Sequence, residues 1–328
     1  MADNKKVTIR ELAKRAGVSE ATVSRALNDS PRVKPATKHK IQQLAKTLGY
    51  RPNLLARSMR TNQSKTIGVI ISNIANPFFT AVVRAIEDEA ATLNYRTIVI
   101  NTDENPGTER QAIEMLQGYM VSRFIIASTR RGVDYHLLLG RTPAIFIDRL
   151  PNNNGDYDTL LVNNADGAKQ VVNALIAQGA TRIGVISSSV STAGQERLAG
   201  YRMALQENRI AVDENIIKCS DVQMRRVRRY TSNLLINQAC DGLFTADNEI
   251  FLAAMAEITA RNLTGLKLGT FDNAPWFDFL ALPVTAVQQP TVEMGTRAVQ
   301  RLVARINGSD KLDEPELIRL SVKLVKRN

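Results

Sequence analysis

Apolar residues recur along this chain with two periods, and the change comes near Ile67. Before it, Ile9, Leu12, Ala13 and Ala16 keep the i, i+3, i+4, i+7 spacing of an amphipathic helix. Thr8 is placed to cap that helix, and Glu11 three positions later to complete a capping box. Gly17 supplies the permissive backbone of a sharp turn, and Ser19 caps a second short helix. Its run Ala21-Thr22-Val23-Ser24 is small enough for close approach to a neighbour. Lys34-Pro35 opens a third helix, whose stripe is Ile41, Leu44, Ala45 and Leu48 and which Gly49 stops. Two short helices around a tight turn are the layout of a helix-turn-helix, whose second helix enters the major groove of DNA.

Residues 51–65 read as a polar, basic connector. Asn53 is placed to cap a short helix running to about Arg60. Such a helix falls well below the ~12–15 residues that a free helix needs in water, so it requires a partner and is a candidate coil-to-helix switch.

From Ile67 onward, short apolar runs alternate with helical patterns. The runs are Ile67–Ile71, Thr97–Ile100, Phe124–Ala127, Ala144–Ile147, Leu160–Val162, Ile183–Ile186, Leu243–Phe244, Leu266–Phe271, Val284–Val287 and Leu317–Val325. Helical patterns include Phe79–Leu93, Thr108–Tyr119, Gly167–Gln178 and Glu196–Glu207. This alternation predicts parallel sheets covered by helices on both faces. Ten strands exceed one comfortable sheet, and a break near Asn163–Asp166 divides them into two subdomains. Ligands in such folds bind beyond the carboxyl ends of the strands. No convincing internal repeat is visible in the residues.

Charge sharpens this division. The chain of 328 residues has a formal net charge of +11. Residues 1–65 hold fifteen Lys/Arg against four Asp/Glu, and the remainder holds 28 of each sign. The excess cation therefore sits wholly on the helix-turn-helix end, as expected for a polyanion partner. Two cysteines, Cys219 and Cys240, are too few for a disulfide framework and are expected to pack as small apolar residues in a reducing compartment. The polar N-terminus shows no signal peptide and no run of about 18 apolar residues exists, so a cytoplasmic protein without a membrane partner is expected.

Signals for catalysis are absent. There is no Walker motif, no Gly-x-Ser-x-Gly and no Gly-rich dinucleotide fingerprint. His39 and His136 are the only histidines and lack metal-ligand spacing. The expectation is a non-enzyme with no metal and no cofactor. Two rival classes remain open: a sugar-modifying enzyme with a DNA-binding appendage, and a ligand-independent architectural DNA protein.

Motifs in order along the chain then point to a family. They are Thr8…Ala16-Gly-Val-Ser19…Thr22-Val-Ser-Arg25…Asn28, Tyr50-Arg-Pro-Asn53…Ala56-Arg-Ser58, Ile67-Gly68-Val69 and Asn76-Pro-Phe-Phe79. Asp148-Arg149, Arg197-Leu-Ala-Gly200, Phe271-Asp272-Asn273 and Gln289-Pro290 followed by Gly295 complete the series. Over its whole length the chain resembles the lactose-repressor (LacI/GalR) family of bacterial transcription regulators. The resemblance implies an α/β fold: a three-helix helix-turn-helix headpiece plus hinge helix, then a two-subdomain core like periplasmic binding proteins. The implied boundaries are 1–61 for headpiece and hinge and 62–328 for the core. Within the core, one subdomain takes about 66–162 plus 290–316 and the other about 163–289 plus 317–328. The C-terminal Lys326-Arg327-Asn328 carries no heptads, so a homodimer is expected.

The same resemblance assigns sites. Base contacts fall on Glu20, Ala21 and Arg25, and phosphate contacts on Ser19, Thr22, Ser24, Asn28 and Arg32. The chemistry agrees: arginine bonds guanine bidentately, glutamate accepts from cytosine N4, and alanine touches a thymine methyl. The alternatives are a helix-surface ion pair for Glu20 and Arg25, and a spacer for Ala21. Hinge contacts in the minor groove fall on Asn53, Ala56 and Met59, with methionine where the family wedges a leucine. A near-palindromic double-stranded operator follows from dimer symmetry. Effector contacts fall on Asn76, Phe78, Phe79, Asp148, Arg197, Asp247 and Asp272, for a sugar, sugar acid or sugar phosphate. Each has a structural alternative: helix core for Phe79, strand-end caps for Asp148 and Asp272, a surface ion pair for Arg197. Two departures from the family stand out. The pair Asp247-Asn248 is reversed, and Val222 replaces an aromatic contact ahead of the basic run Met224–Arg229. That run, with Arg130-Arg131, either attracts an acidic ligand or is a solvated helix face. Trp276, the sole tryptophan, follows Asp272 closely enough to report ligand by fluorescence.

Overall fold

The computed structural model describes residues 7–50, 64–129, 132–152, 155–188, 191–220, 223–308 and 314–327. Asn53, Ala56, Met59, Arg130, Arg131 and Val222 lie outside them. The chain divides into two compact units, Met1–Ser64 and Lys65–Asn328.

The first unit holds α1 (Ile9–Ala16), α2 (Glu20–Leu27) and α3 (Pro35–Thr47). Thr8 caps α1 by accepting from the Glu11 N–H at 3.2 Å. The capping box stays half-made, because Glu11 turns outward to pair with Arg15 at 3.1 Å, one turn along the same exposed face. Gly17 ends α1 with φ +72°, the left-handed conformation that glycine adopts without strain. Leu12, Val23, Ala26 and Ile41 meet in the core, with Leu44 and Leu48 packed at its margin.

The second unit has two α/β lobes. The first lobe's sheet contains β1 (Thr66–Ile71), β2 (Arg96–Asn101), β3 (Phe124–Ile126), β4 (Ala144–Ile147), β5 (Asp158–Val162) and β11 (Leu317–Leu320), in the order β2-β1-β3-β4-β5-β11. Its helices are α4 (Pro77–Thr92), α5 (Pro106–Gly118), α6 (Tyr135–Leu139) and α11 (Thr291–Ile306). The second lobe's sheet contains β6 (Ile183–Ser188), β7 (Ile217–Ser220), β8 (Gly242–Thr245), β9 (Lys267–Phe271), β10 (Val284–Gln288) and β12 (Lys323–Arg327), in the order β7-β6-β8-β9-β10-β12. Its helices are α7 (Asn164–Ala177), α8 (Thr192–Glu207), α9 (Met224–Ser232) and α10 (Asn248–Ala260). The core strands are apolar on both faces, as parallel strands sandwiched by helices must be.

The two strand orders are the same, so a structural repeat underlies a sequence in which none is visible. Core packing tolerates interchange among apolar residues of similar volume, and the repeat can therefore persist in shape alone. One difference breaks it. Among the described residues every strand pairing is parallel except that of β12 with β10. Parallel strands of both lobes end at the cleft between them. The chain leaves β11 at the cleft, crosses through Ser321-Val322, and must then run away from it along β10.

Three expectations need correction. The run Leu317–Val325 is two strands, and its first half belongs to the first lobe, because Leu317–Leu320 pairs with Thr159–Val162. The strand β7 was not expected at all; as an edge strand it is half exposed and carries no apolar run. Cys240 is buried, but Cys219 lies exposed on β7 rather than packed as a small apolar residue.

Helix packing in the second lobe depends on Gly200. A Cβ there would sit 2.1 Å from the Ala165 carbonyl oxygen, so α7 and α8 approach closely only with glycine at this position.

Candidate functional site

Two surfaces carry candidate chemistry. In the first unit, successive residues of α2 rotate by about 100°. Glu20, Ala21, Ser24, Arg25 and Asn28 thus fall on one face, opposite the fully buried Val23 and Ala26. Glu20, Ala21, Arg25 and Asn28 are exposed, as is Arg32, while Thr22 and Ser24 are half-buried. Among the described residues no hydrogen bond or ion pair engages the Glu20 or Arg25 side chain. The helix-surface ion pair is therefore not formed, and the Arg25 fork is available to a base edge. Ser19 and Thr22 are partly committed. The Ser19 hydroxyl accepts from Thr22 N–H at 3.1 Å and bonds its hydroxyl at 2.9 Å. Asn28 donates to the Ser24 carbonyl at 2.8 Å, which steadies the end of the helix.

The second surface is a cavity of about 280 Å³ between the lobes. Asn76, Phe78, Phe79, Asp148, Arg197, Asp247 and Asp272 all line it. Most of its wall comes from residues just beyond strand ends. Asp148 follows β4 and Asp272 follows β9, equivalent strands of the two sheets, and both take left-handed backbone (φ 65° and 77°). Asn76 caps α4, accepting from Phe78 N–H at 2.9 Å, with Pro77 at the first helical position. Phe78 and Phe79 stand edge to face, 5.0 Å between centroids. Both belong to the apolar core and to the cavity wall, so for Phe79 the two readings coexist.

Arg197 is buried on α8 rather than paired at the surface. Its Nε donates to Asn164 Oδ1 at 2.8 Å and one Nη to the Ala246 carbonyl at 2.7 Å. Its guanidinium lies 3.7 Å from the Phe271 ring centroid, within cation–π range. Part of the fork is thus fixed by the protein, which aims the remainder.

Asp247 caps α10, accepting from Ile250 N–H at 2.8 Å. The reversed pair has a consequence: Asn248 crosses the cleft and donates to Asn76 Oδ1 at 3.0 Å. Burial pushes the Asp247 carboxyl up to about 6, against its backbone hydrogen bond and with help from the charge of Asp272. Burial raises Asp148 as well, offset in part by Arg149 and Arg197.

Several wall residues were not assigned from the sequence. Arg149 donates to both oxygens of Glu104, at 2.6 and 2.7 Å, and its Nε lies 3.2 Å from Asp148. Burial works against its charge, but Glu104 and Asp148 hold it above its ordinary value. Glu249 reaches the wall from α10 and accepts from the Asn73 amide across the cleft. Burial, then the charge of Asp247, pushes it up to about 7. Gln289 donates to Asp272 from the β10 end. Asn73, Glu104 and Thr129 follow β1, β2 and β3, so strand-end position in a parallel sheet was the signal that marked them. The basic helix α9 does not reach this wall: Val227 and Thr231 face inward, and its arginines form the solvated side. Trp276 packs against Phe251 and Phe277, away from the cavity lining.

Among the described residues no cluster suited to a metal ion occurs, and no helix is long and apolar enough to cross a membrane.

The family model "Bacterial regulatory proteins, lacI family" matches residues 8–53, and "Periplasmic binding protein-like domain" matches residues 172–328. The HTH-type transcriptional regulator RegA of Clostridium saccharobutylicum is 30% identical, covering 98% of each chain. The ribose operon repressor of Halalkalibacterium halodurans is 31% identical over 91% of this chain and 90% of that protein. A lac repressor dimer, bound to operator and the anti-inducer ONPF, superposes with a TM-score of 0.85 at 26% identity, over 98% of each chain. These relatives are regulators rather than enzymes. With an exposed reading helix, a two-lobed core and full-length likeness to named regulators, the chain belongs to the lacI family of DNA-binding transcriptional regulators.

Proposed function

We propose that this protein is a repressor of carbohydrate-metabolism genes, acting as a homodimer and controlled by a small polyhydroxylated effector. Two headpieces read a near-palindromic operator through Glu20, Ala21 and Arg25. Ser19, Thr22, Ser24, Asn28 and Arg32 orient each headpiece on phosphates, and Asn53, Ala56 and Met59 serve as the minor-groove hinge. Effector occupies the cavity between the lobes, biases their relative angle, and so changes operator affinity. Coupling of this kind amounts to roughly 1–3 kcal/mol and is reciprocal.

The observation that carries this reading is the convergence of Asn76, Asp148, Arg197, Asp247 and Asp272, from both lobes, on one cavity walled partly by phenyl rings. Carboxylates accept from hydroxyls, a guanidinium donates, and a ring face covers the apolar side of a sugar. The named relative that represses a ribose operon agrees with a carbohydrate role.

The test is operator binding by the full-length protein, using a duplex selected from a random pool. Sugars that raise its melting temperature should change operator affinity by fivefold or more, roughly 1 kcal/mol. Ligands that bind yet leave operator affinity within twofold would sink the coupling. Arg25→Ala should weaken the selected duplex by about 1–3 kcal/mol and leave non-specific binding nearly unchanged.

A further inference from the structure

The cavity wall is unbalanced. Among the described residues five carboxylates face it (Glu104, Asp148, Asp247, Glu249 and Asp272) against two guanidiniums. Arg149 is already committed to Glu104 and Asp148. Arg197 spends its bonds on a neutral amide and a carbonyl. At the start of α10, Asp247 is bonded to a backbone N–H and Glu249 to the neutral amide of Asn73, so neither carboxylate has a cation in direct contact.

A second observation, independent of the acids, points the same way. Gln289 lines the cavity, is 3% exposed, and its Oε1 has no hydrogen-bond partner among the described residues. A buried acceptor without a donor is costly unless something fills the site. Acceptors thus outnumber donors on this wall, and the missing complement is a donor-rich, positively charged group.

We infer that the effector carries a protonated amine, seated where Asp247 and Glu249 converge, and that the cavity selects an amino sugar or amine-bearing polyol. This deepens the effector reading given above and rests on it. A cavity of about 280 Å³ suits a monosaccharide-sized ligand. An anionic sugar acid or sugar phosphate would meet net negative charge in a poorly solvated space and is rejected. The ammonium supplies the direct contact that Arg197 and Arg149, which act on Asp247 and Glu249 only through space, do not make. Both carboxyls are pushed up, to about 6 and about 7, so an incoming cation would drive protons off them. Glu104 and Asp148 bear on the same space from the first lobe, sharing contact with Arg149, and Asp272 and Arg197 from the second.

The experiment is calorimetric titration of the full-length protein with matched ligands near pH 6.5. The neutral and amino members are glucose with glucosamine, galactose with galactosamine, and ribose with its 1,4-imino-ribitol. Gluconate and glucose 6-phosphate are the anions. The amine of at least one pair should bind roughly tenfold or more tighter than its neutral partner, with proton release evident from buffers of different ionisation enthalpy. Glu249→Gln and Asp247→Asn keep the hydrogen-bond acceptors and the helix cap, so both should shrink the amine preference and the proton release. Equal or tighter binding of every neutral or anionic member overturns the inference. If neutral sugars bind and shift operator affinity while amines bind no better, the effector reading stands and this inference falls. If no member of any charge class binds, both fall.

Discussion

The two lobes share a strand order but handle the same aspartate differently. In the first lobe Asp148 sits beside Arg149, which is itself clamped by Glu104, so charge is answered within the lobe. In the second lobe the equivalent Asp272 is held by the neutral amide of Gln289, and the nearby Arg197 turns to Asn164 and Ala246. Topology fixes where a carboxylate emerges, at the carboxyl end of a parallel strand. The neighbours it meets there decide its charge balance. A repeated scaffold therefore offers one cavity with two unlike walls: in one both carboxylates contact a guanidinium, in the other they contact only neutral donors.

Disrupting the scaffold itself should give the largest effects. Gly200→Ala would drive a methyl into the Ala165 carbonyl and should destabilise the second lobe by about 3 kcal/mol. Its first-lobe counterpart, Gly295→Ala, meets Ala85 Cβ at 2.6 Å and should cost less. Denaturant unfolding of the two variants ranks them, and a reversed order would deny that α7 and α8 are the tighter helix pair.

Beneath the first-lobe wall lies Glu109, fully buried. It accepts from Thr129 N–H at 2.9 Å and Tyr135 OH at 2.6 Å, and burial pushes its carboxyl up. Glu109→Ala should cost about 1–3 kcal/mol, since it orphans the buried Thr129 N–H and takes from the Tyr135 hydroxyl a partner beside Ser128. Glu109→Gln, which keeps an acceptor, should cost less. Equal losses in the two variants would mean that packing, not hydrogen bonding, makes this residue matter.

The charge asymmetry is sharpened by pH. The folded value of Glu249, about 7, lies above its ordinary value near 4.5, so the native state binds the extra proton in between. Its contribution to stability is therefore fully present below about 4.5 and falls as pH rises through about 7. Glu249→Gln should raise the melting temperature at pH 8 relative to the parent protein and flatten the pH profile between those limits. Glu104→Gln, on the wall whose carboxylates contact Arg149, should instead lower it by removing the bidentate partner of Arg149. Parallel shifts in the two variants would erase the distinction between the walls.

Exposed ion pairs should give the smallest effects. Arg297 and Glu293, one turn apart on α11, lie 3.0 Å apart with both side chains about half exposed. Arg297→Ala should change stability by about 0.3–0.5 kcal/mol at most.

Much of this was legible before any coordinates. Periodicity located the three head helices, because a short helix on a small core needs its apolar residues at a fixed spacing. Apolar runs located the central strands for the same reason. The edge strand β7 escaped because one side of it pairs with nothing, which leaves no pressure for a continuous apolar run. The seven residues that resemblance assigned to the effector do share one cavity. Glu249 was passed over because nothing in a helix's first turn distinguishes a solvated acid, which complements the helix dipole, from one folded into a cleft. Gln289 and Arg149 stood inside recognised motifs, yet their roles depend on partners 17 and 45 residues away in the chain.

Local spacing and charge thus determined the reading head, the order of strands and helices, and the concentration of cation at one end. They could do so because capping, helical period and burial act over a few residues. Tertiary structure alone decided that two lobes repeat one strand order, that the last strand turns antiparallel, and that five carboxylates meet across a cleft. Those outcomes follow from contacts between segments from tens to well over a hundred residues apart, whose energies no local pattern records.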